Sequence, residues 1–249
     1  MLKKARVVTD PLIFLVAIVV VWQLVTVVTG IHSVLLPSPL AVGDILTTRF
    51  GLLLSSMLDT YRVVLEGFAI GGLVGLVAGV VIGASSVLRT AFYPFLVSLY
   101  IMPKAVLIPL FLLWFGLGEF YKLLVIVLLV FFPVTENVVT GIRGVSVEMR
   151  ELGRITPTTR WQTFRRISMP SMFPYFMAGL RIGITEAFIG GVLAEILAPH
   201  AGIGSRIAES VATSNTQFIM AGIIVIAFFG ITTYFLMAFI ERKLLFWYY

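Results

Sequence analysis

Long, uninterrupted stretches of apolar residues recur along the chain and constrain its fold more than any other feature. Several of them reach the roughly 20 residues that a helix needs to cross about 30 Å of hydrocarbon. Their apolar residues are continuous and do not alternate, which indicates helices and not the strands of a membrane barrel. Of 249 residues, 59% are apolar and only 12% are charged, too few for the surface of a soluble domain. The sequence therefore predicts an all-α integral membrane protein.

The apolar stretches divide into about six predicted transmembrane helices. They cover residues 11–30, 61–83, 90–113, 120–141, 171–197 and 215–240. Basic residues cluster near the start of the chain, between the fourth and fifth spans, and near the end. The positive-inside rule places these three regions, and so both termini, in the cytoplasm. Residues 31–60 are then expected outside, with a short surface or re-entrant helix after Pro37.

Glycines recur every four residues in the second predicted span. They are Gly67, Gly71, Gly75, Gly79 and Gly83. This spacing places their bare backbone along one stripe of a helix, where another helix can approach closely. We interpret the stripe as a helix-packing surface in preference to a solute contact, and extend the interpretation to Gly179 and Gly183 in the fifth span.

The third predicted span is interrupted by Pro103, Lys104 and Pro109. Prolines remove helix hydrogen bonds, and a broken helix survives in a membrane only against protein or a water-filled cavity. The segment could line a translocation path; alternatively, Lys104 extends to an interface and the prolines only kink the helix. Nearby apolar side chains could close a gate or simply face lipid; they are Met102, Phe111, Trp114 and Phe115.

Acidic residues within or near the spans are costly and usually face the bundle interior, a cavity or an opposite charge. They are Glu66, Glu119, Glu136, Glu186 and Glu195. Glu66 lies one helical turn after Arg62 and is expected to pair with it. For Glu186 the sequence leaves two roles open, an interhelical hydrogen bond and a place in the lining of a path.

Catalytic and metal-binding motifs are not found in the sequence. There is no cysteine, no GxxxxGK[ST] phosphate-binding loop and no HExxH motif. The two histidines, His32 and His200, lie outside the predicted spans and far apart in sequence. We expect no catalytic residue, no metal and no cofactor on this chain, so the energy for any transport must come from elsewhere.

The predicted inner loop, residues 142–170, is the only sizeable hydrophilic segment of the sequence. Its pattern predicts two short helices joined at Pro157, with the next span starting at Pro170. Thr159 and Gln162 fit a capping box for the second helix. Its aromatic face and arginine-rich back could rest on lipid headgroups or dock into the groove of a partner.

The same loop resembles the cytoplasmic coupling loop of ABC importer permeases. Glu151 is followed after six residues by Pro157, and RWQTFRRISMP leads to Pro170. LLPSP, LWFGLGEFYK, FFPV, GLRIGI and GIGSRI resemble, in the same order, the branch that imports sulfonates, taurine, nitrate and some vitamin precursors. Two features depart from the family pattern: Leu152 and Gly153 replace alanines, and Pro157 replaces the turn glycine.

The resemblance implies a type I ABC importer (MetI-like) permease fold, with residues 1–249 as one transmembrane domain and a coupling loop at about 143–170. The ATPase-coupling residues it implies are Glu151, Thr159, Arg160, Trp161, Phe164, Arg165, Ile167 and Pro170. The expected path residues are Met102, Pro103, Lys104, Phe115 and Glu186.

The resemblance also implies partners. These are a second copy of the chain, a cytoplasmic ABC ATPase dimer that carries ATP and Mg, an extracytoplasmic solute-binding protein and the lipid of a prokaryotic inner membrane. No nucleic acid is expected. The solute is expected to be a small organic or inorganic anion, such as a sulfonate, a nitrate-like anion or an aromatic acid.

Two other functions compete with the importer. A secondary transporter would use buried glutamates as proton carriers and the broken helix as a midplane site, but the proline-broken segment has no inverted counterpart. An intramembrane enzyme would need a paired catalytic motif, which the sequence does not offer.

Overall fold

Helices make up the regular structure of the part of the chain described by the computed structural model, residues 2–144 and 159–246. They are α1 (Leu2–Thr29), α2 (Pro39–Thr48), α3 (Phe50–Ala84), α4 (Ser86–Ile101), α5 (Ile108–Phe115), α6 (Glu119–Arg143), α7 (Arg160–Thr163), α8 (Met169–Leu197), α9 (Ile203–Ala212) and α10 (Thr216–Leu244). A 3₁₀ turn, Lys104–Leu107, joins α4 to α5, and a π-helical turn, Phe164–Ser168, joins α7 to α8. The predicted all-α class is confirmed.

Three described helices, α3, α6 and α10, are long and apolar enough to cross a membrane by themselves. A bent pair, Ser86–Leu99 with Lys104–Phe115, makes a fourth candidate span with an angle of 88° between its halves. Helix α8 has 29 residues, as many as α10, but its three charged residues are spread along the helix, whereas the three of α10 lie together at its end. The apolar part of α1 is Ile13–Thr29. Each predicted span thus corresponds to a helix or to the bent pair.

The predicted boundaries of the outer stretch, residues 31–60, are partly wrong. The short helix is present as α2, where the Ser38 hydroxyl accepts a hydrogen bond from the Ala41 N–H and Pro39 occupies the first turn. However, α3 starts at Phe50 and not at residue 61. Its first turns bury Leu53 and Met57 in the core, which explains why the helix extends this far.

The glycine stripe of α3 packs against α6. A Cβ atom added to Gly71 would lie 2.8 Å from the Val127 carbonyl oxygen, and one added to Gly75 would lie 3.0 Å from the Phe131 carbonyl oxygen. Such distances are too short for any side chain larger than hydrogen, so the two backbones touch only because the positions are glycine. The predicted role of the stripe in helix packing is confirmed.

Helix α8 approaches the other side of α6 in the same way. A Cβ on Gly179 would lie 3.0 Å from the Val134 Cα, and one on Gly183 would lie 3.1 Å from a methyl group of Val130. Helix α6 is therefore the centre of the bundle, between α3 and α8, and its side chains Ile126, Val130, Val134 and Val138 are fully buried.

Candidate coupling and translocation surfaces

The predicted coupling surface is described from Thr159 onward, whereas Glu151 and Pro157 lie outside the described residues. The Thr159 N–H donates to Gln162 Oε1 at 2.9 Å, and the Gln162 N–H donates to Thr159 Oγ1 at 3.3 Å. These reciprocal bonds form the predicted capping box, which satisfies two backbone donors at the start of α7.

An aromatic pair with basic neighbours follows the cap. The rings of Trp161 and Phe164 stack with centroids 5.8 Å apart and an interplanar angle of 25°. The Trp161 side chain is 66% exposed although it is large and apolar. Arg165 and Arg166 are exposed beside it, and Ile167 is half-buried. This combination of an exposed aromatic face with arginines can bind either a protein groove or a membrane surface.

The predicted start of the next span at Pro170 is confirmed, since α8 begins at Met169 with Pro170 in its first turn, but no loop precedes it. Helix α7, the π turn and α8 follow one another without a break, and Ser168 and Met169 both have helical dihedrals. Proline lacks an N–H, and its ring would collide with the carbonyl four residues earlier in a regular α-helix. The wider π turn ends at Ser168, two residues before Pro170, and the Met169 N–H bonds to the Phe164 carbonyl five residues back. The exposed Trp161 surface is therefore joined directly to a bundle helix.

The prolines of the third span break it as predicted. Helix α4 ends at Ile101, Met102 is extended with φ −61° and ψ 136°, and Pro103 precedes the 3₁₀ turn. Pro109 lies in the first turn of α5, where its missing N–H costs no hydrogen bond. Lys104 is half-buried, with Nζ 5.8 Å from the centre of the Phe132 ring in the middle of α6.

Aromatic rings surround the far end of α5. Phe115 contacts Phe111, Trp114 and Phe120, with centroids 6.3, 6.5 and 5.4 Å away. Trp114 and Phe115 are 64% and 48% exposed. The structure thus brings Met102, Pro103 and Lys104 together at the bend and places Phe115 at the other end of α5.

Glu186, the last predicted path residue, is half-buried on α8. Among the described residues it makes neither a hydrogen bond nor an ion pair, so the interhelical bond considered from the sequence is not observed there. Its neighbour in sequence, Ala187, is fully buried in the core.

In a buried polar cluster, Glu195 faces an opposite charge, as expected for an acidic residue near a span, but the sequence did not identify its partner Lys122 at the start of α6. Lys122 Nζ lies 3.4 Å from Glu195 Oε1, and both side chains are only 2% exposed. Lys122 also donates to the Ala201 carbonyl at 2.5 Å. Glu195 accepts bonds from the Thr60 hydroxyl at 2.8 Å and the Gly204 N–H at 2.9 Å. A fully paired and hydrogen-bonded buried ion pair of this kind is structural, because neither charge is available to a solute.

The cluster joins α3, α6, α8 and the start of α9. The Ile203 N–H donates to Thr60 Oγ1 at 2.9 Å, which completes the link. Gly202 has φ +103°, and a Cβ on it would collide with the Glu195 carboxylate. The acidic residue near the end of a span was the local signal, and it does not reveal a partner 73 residues away in sequence.

The expected pair between Arg62 and Glu66 is confirmed and is part of a larger group. Arg62 Nε lies 3.6 Å from Glu66 Oε1, and Arg62 also pairs with Glu119 at the start of α6. All three side chains are more than half exposed. The pair therefore lies at the surface of the α3–α6 contact.

Comparison with known proteins assigns the family. Residues 71–246 match the family described as the binding-protein-dependent transport system inner membrane component. This chain belongs to that family. It is 34% identical to a Bacillus subtilis protein, over 92% of this chain and 84% of the relative. The name of that protein gives aliphatic sulfonates transport permease as its provisional function. It is 28% identical to the formylaminopyrimidine transport permease protein of Halalkalibacterium halodurans, over 99% and 98% of the two chains.

The fold is also found in a solved structure, the crystal structure of an amino acid ABC transporter with histidines. The TM-score is 0.65 with 18% sequence identity, over 80% of this chain and 96% of the other. The type I ABC importer (MetI-like) permease fold expected from the sequence is confirmed. The chain is a permease subunit of an ABC transporter, a multi-pass protein of the inner membrane, and its family implies an ATPase and a solute-binding protein as partners.

Proposed function

We propose that two copies of this chain form the solute path of an ATP-driven importer, with both termini in the cytoplasm. The observation that carries the proposal is the unbroken helical connection from the exposed Trp161 surface through the π turn into α8. A displacement of that surface by a partner moves a bundle helix directly, because no flexible loop absorbs it.

The partner at that surface is an ABC ATPase. ATP and Mg bind to the ATPase, and its closure moves the coupling helix and switches the path from inward to outward access. The residues that carry coupling are Glu151, Thr159, Arg160, Trp161, Phe164, Arg165, Ile167 and Pro170. Arginine suits a protein interface of this kind because its planar group pairs with carboxylates through two hydrogen bonds.

The path lies between the two copies, along the broken span. Met102, Pro103 and Lys104 are supported as path residues by a span that bends by 88° at their position. Phe115 belongs to an aromatic gate near the outer end, and Glu186 lines the path from α8. A half-buried carboxylate with no partner among the described residues is better explained by water in a path than by contact with lipid.

The solute is a small anion, with a sulfonate as the preferred class. The names of the relatives refer to aliphatic sulfonates and formylaminopyrimidine, and the sulfonate protein has the higher identity, 34% against 28%. Lys104 at the bend supplies a positive charge for an anion to pass.

Co-purification tests the assembly. The chain is co-expressed with the ATPase encoded beside it, and Glu151→Ala and Arg160→Glu are compared with Arg49→Glu, an exposed arginine between α2 and α3. Wild type and Arg49→Glu should co-elute with the ATPase, while the loop variants should lose the complex or its ATPase activity. Normal behaviour of the loop variants would disprove the coupling assignment.

Transport itself is tested in vesicles that contain the assembled complex and the neighbouring solute-binding protein. Uptake of a radiolabelled alkanesulfonate should require ATP and persist when ionophores remove all ion gradients. Uptake that needs a gradient and not ATP would instead support a secondary carrier that uses Glu186.

A further inference from the structure

An apolar groove runs along the outer surface of the bundle between α8 and α10; we call it the α8–α10 groove. Its volume is about 540 Å³, and its walls include Ile184, Phe188 and Ile189 from α8 and Ile226, Gly230 and Ile231 from α10. At Gly230 an added Cβ would have no atom within 4 Å, so the groove is not filled by the described part of the chain.

The groove opens towards the surroundings of the bundle. Ile189 is 54% exposed and Ile231 is 57% exposed, and both lie on helices of the membrane domain. Hydrocarbon or another apolar helix must cover such a surface in the bilayer, because contact between apolar side chains and water is unfavourable.

One end of the groove carries charge. Arg181 lies one turn before Thr185 of the groove wall, pairs with Glu241 at 2.5 Å and lies 5.8 Å from the centre of the Tyr234 ring. Its side chain is 35% exposed, and its Nε has no hydrogen-bond acceptor among the described residues.

This end of the groove has an excess of positive charge. Arg242 and Lys243, in the last turn of α10, follow Glu241 directly and are exposed. Together with Arg181 they give three cations to one carboxylate. Clusters of this kind beside a transmembrane groove attract anionic headgroups, and arginine forms strong charge-assisted hydrogen bonds with phosphate.

A helix from a second copy fits this charge poorly. The apolar part of α1, Ile13–Thr29, contains no acidic residue that could balance the cations. Its other end carries Lys3, Lys4 and Arg6 against one acid, Asp10, and this net positive charge would approach the same membrane face as Arg242 and repel it.

We propose that the α8–α10 groove binds an anionic phospholipid. One acyl chain lies along the apolar walls, and the phosphate lies at the exposed part of Arg181, near Arg242 and Lys243. The site does not depend on the transported solute or on ATP coupling, so it can be tested and can fail separately from the proposed function.

The test measures lipid retained by the purified full-length chain in native mass spectrometry, with added phosphatidylglycerol or phosphatidylcholine of identical acyl chains. Wild type should retain phosphatidylglycerol about thirtyfold more than phosphatidylcholine, as expected for two uncompensated cations near a headgroup. Equal retention of the two lipids would overturn the proposal.

A large side chain that fills the groove separates binding of the lipid acyl chain from binding of the headgroup. Gly230→Phe should remove retention of both lipids, whereas Gly51→Phe, at a glycine with equally open space on α3, should match wild type. Ala227→Phe, one turn from Gly230 in the same wall, gives a second filled groove if the first variant does not fold. Unchanged retention in a folded, filled variant would refute the site.

The charged end is tested with a paired change that leaves no buried charge alone. Arg242→Gln with Lys243→Gln removes the two exposed cations and leaves the Arg181–Glu241 pair intact, so lipid should stay bound but most of the preference for phosphatidylglycerol should be lost. The same changes at Arg49 and Arg206, two exposed arginines away from the groove, should keep the preference. Because the chain has no cysteine, an Ile231→Cys to Val20→Cys cross-link between two copies would show that a helix, not lipid, fills the groove.

Discussion

Two cations near the same end of the bundle differ in what they contribute to stability. Lys122 is buried with Glu195, both side chains 2% exposed, whereas Arg62 is 58% exposed in its contacts with Glu66 and Glu119. Surface ion pairs contribute little, because water screens the charges and two long side chains must be ordered. Removal of one member of a buried pair leaves the other charge unpaired in a low-dielectric interior.

Lys122→Met should therefore lower the free energy of unfolding by about 3–5 kcal/mol, because the Glu195 carboxylate loses its counter-charge. Arg62→Met should change it by no more than about 1 kcal/mol. Denaturant titration of the detergent-purified chain, followed by tryptophan fluorescence, measures both. The double change Lys122→Met with Glu195→Gln should recover much of the loss. Equal effects of Lys122→Met and Arg62→Met would show that the pair is not buried in the folded protein.

At the scale of elements, the contact between α3 and α6 depends on the absence of side chains. Gly75→Leu would place a Cβ 2.9 Å from the Val134 Cβ and force the helices apart, at a cost of about 1–3 kcal/mol. Gly51→Leu on the same helix meets no atom within 4 Å and serves as the control. Thermal unfolding monitored by size-exclusion chromatography should show a lower midpoint for the first variant only. A midpoint unchanged by Gly75→Leu would mean that the helices do not touch along the stripe.

The continuous helix from Arg160 into α8 has a mechanical consequence for coupling. Ser168→Gly with Met169→Gly places two flexible residues between the Trp161 surface and α8, at about 1 kcal/mol of helix propensity for each. We expect the ATPase to remain bound while transport per ATP hydrolysed falls, because the joint absorbs the motion. Ile223→Gly with Ile224→Gly, at exposed positions of α10, is the matched control. Unchanged coupling in the Ser168 variant would show that motion reaches the bundle by another route.

Local patterns predicted those elements whose cause is local. The four-residue glycine spacing and the Pro103 to Pro109 interruption directly specify a packing stripe and a broken span, and both are present. The start of α3 was missed because Ser55, Ser56 and Asp59 resemble an outer loop. Tertiary packing decides that region, since Ser56 and Thr60 are buried.

The remaining misses also depend on tertiary contacts. Lys122 and Glu195 are 73 residues apart in sequence, and no periodicity links them. Pro170 correctly predicted the start of α8, but the sequence did not show the π turn that joins α7 to α8 without a loop. The residues of the coupling loop were identified only through family resemblance, since composition alone allowed a lipid or a protein partner.

At the scale of the whole molecule, a single copy leaves the broken span uncovered. Ile101, Leu113 and Trp114 are 75%, 79% and 64% exposed around a bend that carries a half-buried lysine. Lipid alone is a poor environment for the irregular backbone between α4 and α5, because its polar groups need partners. A second copy facing this surface supplies protein and water, which is why we expect the path to lie between two copies.

Cysteine cross-linking tests this arrangement cleanly, because the chain has no native cysteine. If Phe115 belongs to a gate between two copies, Phe115→Cys should form an intermolecular disulfide in membranes without nucleotide, when the outer gate is closed. The yield should fall at least severalfold when a hydrolysis-deficient ATPase is held closed with ATP, since outward opening separates the two aromatic clusters. Leu73→Cys, at a 63% exposed position on the lipid-facing side of α3, should give little cross-link in either state. A yield at Phe115 that equals the Leu73 yield, or that does not respond to ATP, would place the gate elsewhere and remove Phe115 from the path.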